Sequence, residues 1–372
     1  MNFNIEPNAT SILGSLRSIG YSLKTALADI IDNSISANAN NIEIINNDLS
    51  DENSKLDWIA IVDNGNGMTM EKMVKAFTLG GGGIELVRNE NDLGRFGLGL
   101  KTASFSQCKK LTVISKTKET KIESLVFDLD FIILNNNKWE AYTLGDVTPI
   151  LEKLKVRLYD KKIFSNQSWT IVLWENIDKI NFQSIRTFHL EINNVLDHFS
   201  LVYHKYINQL EIRLNNTKID YWNPFQAANS SEKKHYKFDS KGNQYSLRTH
   251  ILKHSSEFTN HTEYSDQSKV GSFNQNQGFF IYRNKRLIYR GSWLGLFNKE
   301  HHYILARVEI NLPNTYESDI AWEVNISKSS VRIPSFAFAE ILSECNQVRA
   351  EANNTFLKTK VDPTAAGILI KA

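Results

Sequence analysis

The sequence predicts an α+β fold, with at least two domains in succession, on three observations. Short β-branched and aromatic runs alternate with amphipathic helical stretches over the first 180 residues, and a second mixed series follows. At about 150 residues per domain, 372 residues amount to two or three domains. Nine of the 18 glycines fall between Gly65 and Gly99, punctuated by apolar residues. Glycine so concentrated serves backbone that must turn sharply or approach a ligand closely, which a flexible linker would not need.

The elements follow in order. Ser22 caps a helix over residues 22–37, with Leu23, Leu27, Ile30 and Ile31 on one stripe. Strands are expected at Ile42–Ile45 and Trp58–Val62, helices at Met70–Leu79 and Gly97–Gln107, and strands at Leu111–Ser115, Glu123–Phe127 and Thr170–Leu173. A helix from Ser184 to Tyr206 opens the second part. Strands are expected there at Gln209–Leu214, Phe279–Tyr282 and Ile304–Ile310, with a turn at Asn215-Asn216. The polar stretch 228–277 predicts hairpins and a mobile loop, and Phe336–Phe356 a final helix before an extended tail. The domain boundaries on this reading are 1–182, 183–335 and 336–372.

Composition narrows the classes. The 43 basic and 41 acidic residues leave a net charge of +2, which excludes a polycation but not a local basic patch. Cys108 and Cys345 form no CxxC pair, so a disulfide framework or a cysteine zinc site is not expected. The N-terminal residues show no signal-peptide pattern and no 18-residue apolar run occurs. A cytoplasmic protein without membrane contact is the expectation.

Three clusters carry chemistry. Asp29 and Asn33 stand one helical turn apart on the flank of the apolar stripe, where carboxylate and carboxamide oxygens suit a water and a magnesium ion; a polar helix face would look the same. Asp63, Gly65, Gly67 and Met68 follow a strand directly. A carboxylate there can accept from an exocyclic amine while the glycines admit a flat ring; an Asp-Asn-Gly turn is the plainer alternative. Gly94-Arg95-Phe96-Gly97-Leu98-Gly99-Leu-Lys101 opens a helix. Its backbone N–H groups suit phosphate, although close helix packing also selects glycine.

Together and in this order, the clusters resemble the GHKL ATPase superfamily: gyrase B subunits, MutL, the ninety-kilodalton heat-shock chaperone, MORC proteins and histidine kinases. The N-box corresponds to Asp29 and Asn33, the DxGxG box to Asp63, Gly65 and Gly67, and the lid box to Gly94, Gly97 and Gly99. Thr170 resembles the late threonine near the adenine, although Trp169 stands where glycine is usual. The resemblance implies a Bergerat-fold sandwich with an ATP site. In it Asp63 reads the adenine amine, Asn33 holds Mg²⁺, Lys101 faces the phosphates, and residues 69–91, with Gly80–Gly83, form the lid. The catalytic base is typically Glu; Asp29 is a methylene shorter, and a base must reach its water within about 3 Å, so slow turnover is expected.

The second part resembles a MutL-type transducer. In Lys328-Ser-Ser-Val331-Arg332 the lysine precedes two residues and Val-Arg, which implies that Lys328 reaches the γ-phosphate; a surface lysine in a Ser-rich turn is the alternative. The overall run, including Tyr21–Asp29, His198–His204, Asn223-Pro-Phe225, Phe280–Arg286 and Gly291-Ser-Trp293, is most similar to the MORC-like branch. His198 and His204 suit packing or capping. Arg283, Lys285, Arg286 and Arg290 suit either nucleic acid or an ordinary solvated strand.

The expected function is an ATPase that closes as a homodimer on ATP. It would act on DNA or a DNA-associated partner, in repair or phage defence, with a separate effector subunit because little chain follows the transducer. A chaperone-like protein clamp and a nucleotide-gated interaction module with negligible hydrolysis are the alternatives. A histidine kinase is disfavoured, since no phosphoacceptor domain precedes residue 22.

Overall fold

In the computed structural model the described residues are 8–47, 55–79, 93–94, 99–180, 182, 184–226, 230–238, 244–325, 328 and 330–358. The chain divides into two compact units, one of residues 1–199 with 206–220 and the other of residues 200–205 with 221–372.

The first unit starts with α1 (Ala9–Arg17), capped by Asn8, whose side chain accepts from Ser11 N–H. In α2 (Leu23–Ser36) the Ser22 N–H donates to Thr25 Oγ1 at 3.1 Å, so a capping interaction sets the start where the sequence predicts it. There follow β1 (Asn41–Asn46), β2 (Trp58–Asp63), α3 (Met70–Phe77), α4 (Gly99–Phe105), β3 (Cys108–Lys116), β4 (Glu123–Asp128), α5 (Leu129–Leu134), α6 (Thr148–Arg157) and β5 (Trp169–Ile177). Then come α7 (Ile185–Val202), β6 (Glu211–Leu214) and β7 (Thr217–Lys218). The helix expected to run to Tyr206 ends at Val202, and a 3-10 turn over His204–Tyr206 takes its place.

One seven-stranded sheet, in the order β4-β3-β5-β2-β1-β6-β7, joins the strands of this unit. All pairs are antiparallel except β1 with β6. The strand expected among those of the second part, β6, thus lies in this first sheet beside β1. Asn215 and Asn216, at φ +46 and +69, make the two-residue turn from β6 to β7. Both faces of β2 are covered, all six of its residues being buried. Trp58, Ala60 and Val62 pack with Ile171, Leu173 and Leu154 on one face. The period-2 alternation of strands sends Ile59, Ile61 and Asp63 to the other face, and that is the face of α2 and α4, where Trp174 Nε1 donates to Ser104 Oγ at 2.8 Å.

The second unit contains β8 (Ser230–Phe238), β9 (Gln244–Leu252), α8 (His261–Asp266), β10 (Gly278–Arg283), β11 (Arg286–Arg290), β12 (Ala306–Leu312), α9 (Tyr316–Ala321) and α10 (Ser335–Lys358). Its sheet runs β11-β10-β12-β9-β8, with β10 and β12 parallel. The polar stretch expected as hairpins contains the long β8–β9 pair. Ala337, Ile341, Cys345, Val348, Ala352 and Phe356 recur every three or four residues along α10 and join a core with Leu247, Ile281, Val308 and Ile310.

Two basic residues depart from the sequence reading. Arg283 and Arg286 are 2% and 3% exposed, available to neither solvent nor nucleic acid. Arg283 pairs with the buried Asp319 at 2.5 Å, and Arg286 donates to the Lys328 carbonyl at 3.4 Å. Lys285 and Arg290 are exposed. His204 fits the packing role: its Nδ1 lies 2.7 Å from the Leu201 carbonyl and its ring meets Tyr282 edge-on. Burial pushes it down to about 4, leaving it neutral at physiological pH.

Candidate active site

Asp63 ends β2, and the antiparallel register sets it opposite Thr170 on β5. Thr170 in turn is opposite Ser115 on β3, so three polar side chains line one face of adjacent strands. Ser115 Oγ is 2.9 Å from Thr170 Oγ1, accepts from Met68 N–H at 2.8 Å and donates to the Trp169 carbonyl at 2.9 Å. Trp169 points to the opposite face, where its ring packs on Phe164 with centroids 5.1 Å apart. A bulky residue at that position therefore leaves this cluster untouched.

Asp63 is 4% exposed and has two hydrogen-bond donors: Ser34 Oγ to Oδ2 at 2.8 Å and Gly65 N–H to Oδ1 at 2.9 Å. Burial pushes its carboxyl up to about 6 against both donors. Such a group can serve as an acceptor for a ligand N–H above that pH.

The glycines after Asp63 answer first to the chain itself. A Cβ on Gly65 would lie 2.8 Å from the Ala37 carbonyl oxygen, and one on Gly67, at φ +72, only 2.1 Å from that of Lys116. The loop is thereby folded against the end of α2 and the end of β3, which fixes the Asp63 carboxylate beside Ser34.

Asp29 is 3% exposed on α2, while Asn33, one turn on, is exposed. The Tyr21 hydroxyl donates to Asp29 Oδ2 at 2.8 Å. Gly99 opens α4 next to the same oxygen, to which an added Cβ would come within 3.9 Å. Gly94 follows Leu93, whose N–H donates to Ser36 Oγ at 3.0 Å and whose side chain is buried. Arg95, Phe96, Gly97 and Leu98 lie outside the described residues, as do Gly80–Gly83 of the expected lid. Lys101 is buried, and its ammonium donates to the Ala76 carbonyl of α3 at 2.5 Å rather than standing in solvent. Burial pushes it down to about 8.

Lys328 belongs to the second unit. It is buried at φ +48, an uncommon conformation for a residue other than glycine, and its N–H donates to the Asn325 carbonyl at 3.1 Å. Within the first unit Asp29 and Gly99 are neighbours, and Asp63 with Gly65, Met68, Ser115 and Thr170 forms a second group at the strand ends, tied to α2 through Ser34; Asn33 lies between Asp29 and Ser34 along α2. Sequence reasoning missed Tyr21, Ser34 and Ser115. Ser34 adjoins the noted Asn33, but its contact with Asp63 spans 29 residues and is set by tertiary packing.

No group of three or more His, Cys, Asp or Glu suited to a metal occurs among the described residues. Magnesium needs no such cage: it keeps several waters and binds through one or two protein oxygens plus substrate phosphates. The exposed Asn33 carboxamide is a fitting hard donor.

Residues 21–157 match a family model described as histidine kinase-, DNA gyrase B-, and HSP90-like ATPase. No curated protein matches the chain. The matched span contains Asp29, Asn33, Asp63 and Lys101, whereas Thr170 and Lys328 fall beyond it. The match supports the GHKL superfamily for this part of the chain and points to ATP binding and ATPase activity. The α+β architecture agrees with such a domain followed by a further α+β domain. Among the described residues no helix is long and apolar enough to cross a membrane.

Proposed function

We propose that the chain binds ATP with Mg²⁺ and hydrolyses it, with Asp63 accepting from the adenine amine and Asp29 acting as general base. One observation carries this reading: the buried Asp63 carboxylate, opposite Thr170, on the face of the sheet that α2 covers. The ring would lie against the Asp63–Met68 loop, with Thr170 and Ser115 beside it. Asn33 would hold the magnesium ion, and the glycine-rich run Gly94–Gly99 with Lys101 the phosphates. Lys101 would have to exchange the Ala76 carbonyl for a phosphate oxygen, a modest cost for an ammonium already pushed down by burial. Lys328, from the second unit, would stabilise charge at the γ-phosphate.

The finer part of the proposal follows the resemblance to the MORC/MutL branch. ATP closes two copies into a homodimer that acts on DNA or a DNA-associated partner. Turnover with and without double-stranded DNA, measured alongside the dimer fraction, tests both parts. Mg²⁺-dependent hydrolysis and an ATP-dependent dimer are expected. In Asp29→Asn binding is retained and turnover falls by about 10²–10⁴-fold, the range of a general base. Unchanged turnover in that variant overturns the base assignment, and failure of the wild type to bind ATP overturns the site.

A further inference from the structure

Asp29 is held by a residue that lies outside its helix. Tyr21 stands eight residues upstream, before the Ser22 cap, yet its hydroxyl reaches Asp29 Oδ2 at 2.8 Å with both side chains buried. Tyr21 is fixed in turn. Its carbonyl accepts from Gln107 Nε2 at 3.3 Å, and the same nitrogen donates to Ser106 Oγ at 2.8 Å, just past α4. On its other side Gly20, at φ +81, turns the chain from α1, which Arg17 ties to Asp178 and to the Cys108 carbonyl.

A general base contributes only when its lone pair faces the water at hydrogen-bond distance. A short aspartate has little freedom to search for that geometry once its helix is buried. A phenol O–H on a carboxylate is a charge-assisted hydrogen bond, among the stronger kinds. Holding one oxygen fixes the plane of the carboxylate, and with it the direction of the other oxygen.

We propose that Tyr21 is a positioning residue for ATP hydrolysis, holding Asp29 in the orientation from which it takes a proton from the attacking water. The inference rests on the ATPase reading above. In the step, the water oxygen bonds to the γ-phosphorus, the bond from that phosphorus to the ADP oxygen breaks, and the water proton passes to Asp29. Tyr21 keeps its own proton throughout.

The test is a double-mutant cycle of Tyr21→Phe and Asp29→Asn, read as kcat and KM for ATP, with ADP affinity measured by calorimetry. Tyr21→Phe retains the buried ring. It should lower kcat about 10- to 100-fold, the scale of a misaligned catalytic group, with KM and ADP affinity within two-fold of wild type. In the Asp29→Asn background it should cost nothing more. An unchanged kcat, or an equal loss in both backgrounds, overturns the role of Tyr21 alone. A wild type no faster than Asp29→Asn overturns the base assignment and this inference with it, while calorimetry still reports on the nucleotide site. Should Tyr21→Phe fail to fold, 3-fluorotyrosine at position 21 changes the acidity of the hydroxyl with little change of shape. Then a two-fold or greater change in kcat at constant KM is expected, and an unmoved kcat overturns the proposal.

Discussion

Asp63 in the first unit and Glu309 in the second are equally withdrawn from water, at 4% and 3% exposure, but their surroundings treat them in opposite ways. Glu309 receives Lys205 Nζ at 2.6 Å and Asn311 Nδ2 at 2.9 Å, with His250 Nε2 at 3.4 Å. Burial pushes its carboxyl up, but His250, Lys205 and Asn311 outweigh that and hold it far below the usual range. Lys205 also lies over the Tyr282 ring, 3.6 Å from its centroid. Asp63 has only a serine hydroxyl and a backbone N–H, and burial prevails. A carboxylate buried with its cation is satisfied by its own fold. One buried without a cation is costly to the fold and is retained where a ligand supplies the missing donor.

The comparison breaks most visibly under truncation. Glu309→Ala leaves Lys205 and His250 around a vacated position, and removing one partner of a buried pair costs about 3–5 kcal/mol. Denaturant unfolding should show a loss of that size. Asp63→Asn should show none at neutral pH, because it removes a charge the fold leaves uncompensated. A comparable loss in both variants would remove the distinction.

Acid titration should give slopes of opposite sign. Asp63 goes from an ordinary value of 3.8 to about 6 on folding, so between those values the folded state binds more protons than the unfolded one. Its contribution is present in acid and disappears as pH rises through 6, by about 3 kcal/mol in all. Glu309 is depressed on folding, so its contribution is present above its ordinary 4.5 and is lost as pH falls below that. Stability of wild type relative to Asp63→Asn should therefore decline from pH 4 to 6, whereas relative to Glu309→Gln it should rise with pH over the acidic range. Equal slopes would mean that neither environment acts as described.

What was legible in the sequence follows the same division between local and long-range causes. The α2 helix, with its Ser22 start, and strands β1 to β5 are written in local periodicity, and the strand-end position of Asp63 is visible directly. The parallel pairing of β6 with β1 is not, because it joins residues about 170 positions apart in the chain. Nor is α1, which is nine residues long and buries only Ala9 and Leu13. Arg283 and Arg286 carry no local sign of burial; Asp319, which neutralises the first, comes from α9. At the site, Asp29, Asn33 and Asp63 stand in recognisable patterns, whereas Tyr21, Ser34 and Ser115 act across turns and strands that only the folded chain brings together.

Nucleotide affinity sharpens the reading of Asp63. Asp63→Ala leaves the adenine amine buried without an acceptor, at about 1–3 kcal/mol, or about 5- to 150-fold in ATP affinity. The same carboxylate accepts more strongly when ionised, so wild-type affinity should weaken as pH falls below 6, and Asp63→Asn, a neutral acceptor throughout, should abolish that dependence. Calorimetry across pH checks both. Unaltered affinity in Asp63→Ala would remove the pocket assignment.

The smallest effect is expected where a charge pair is neither buried like Glu309 nor uncompensated like Asp63. Arg17 closes α1, and its Nη2 meets both oxygens of Asp178 at 2.6 Å while Nη1 donates to the Cys108 carbonyl at 2.6 Å. The side chains are 11% and 33% exposed, so water screens part of the attraction. One guanidinium nitrogen shared between both carboxylate oxygens favours the pair, but a partly exposed one contributes about 1 kcal/mol or less to global stability. Arg17→Ala should therefore barely shift the denaturation midpoint. Its effect should concentrate on α1, which has only two buried side chains to hold it once the clamp is gone. Hydrogen exchange of the α1 amides should accelerate well beyond the global change, with Arg17→Lys intermediate because an ammonium cannot make the two-pronged contact. Uniform acceleration across the first unit would instead mean that the clamp supports the whole unit.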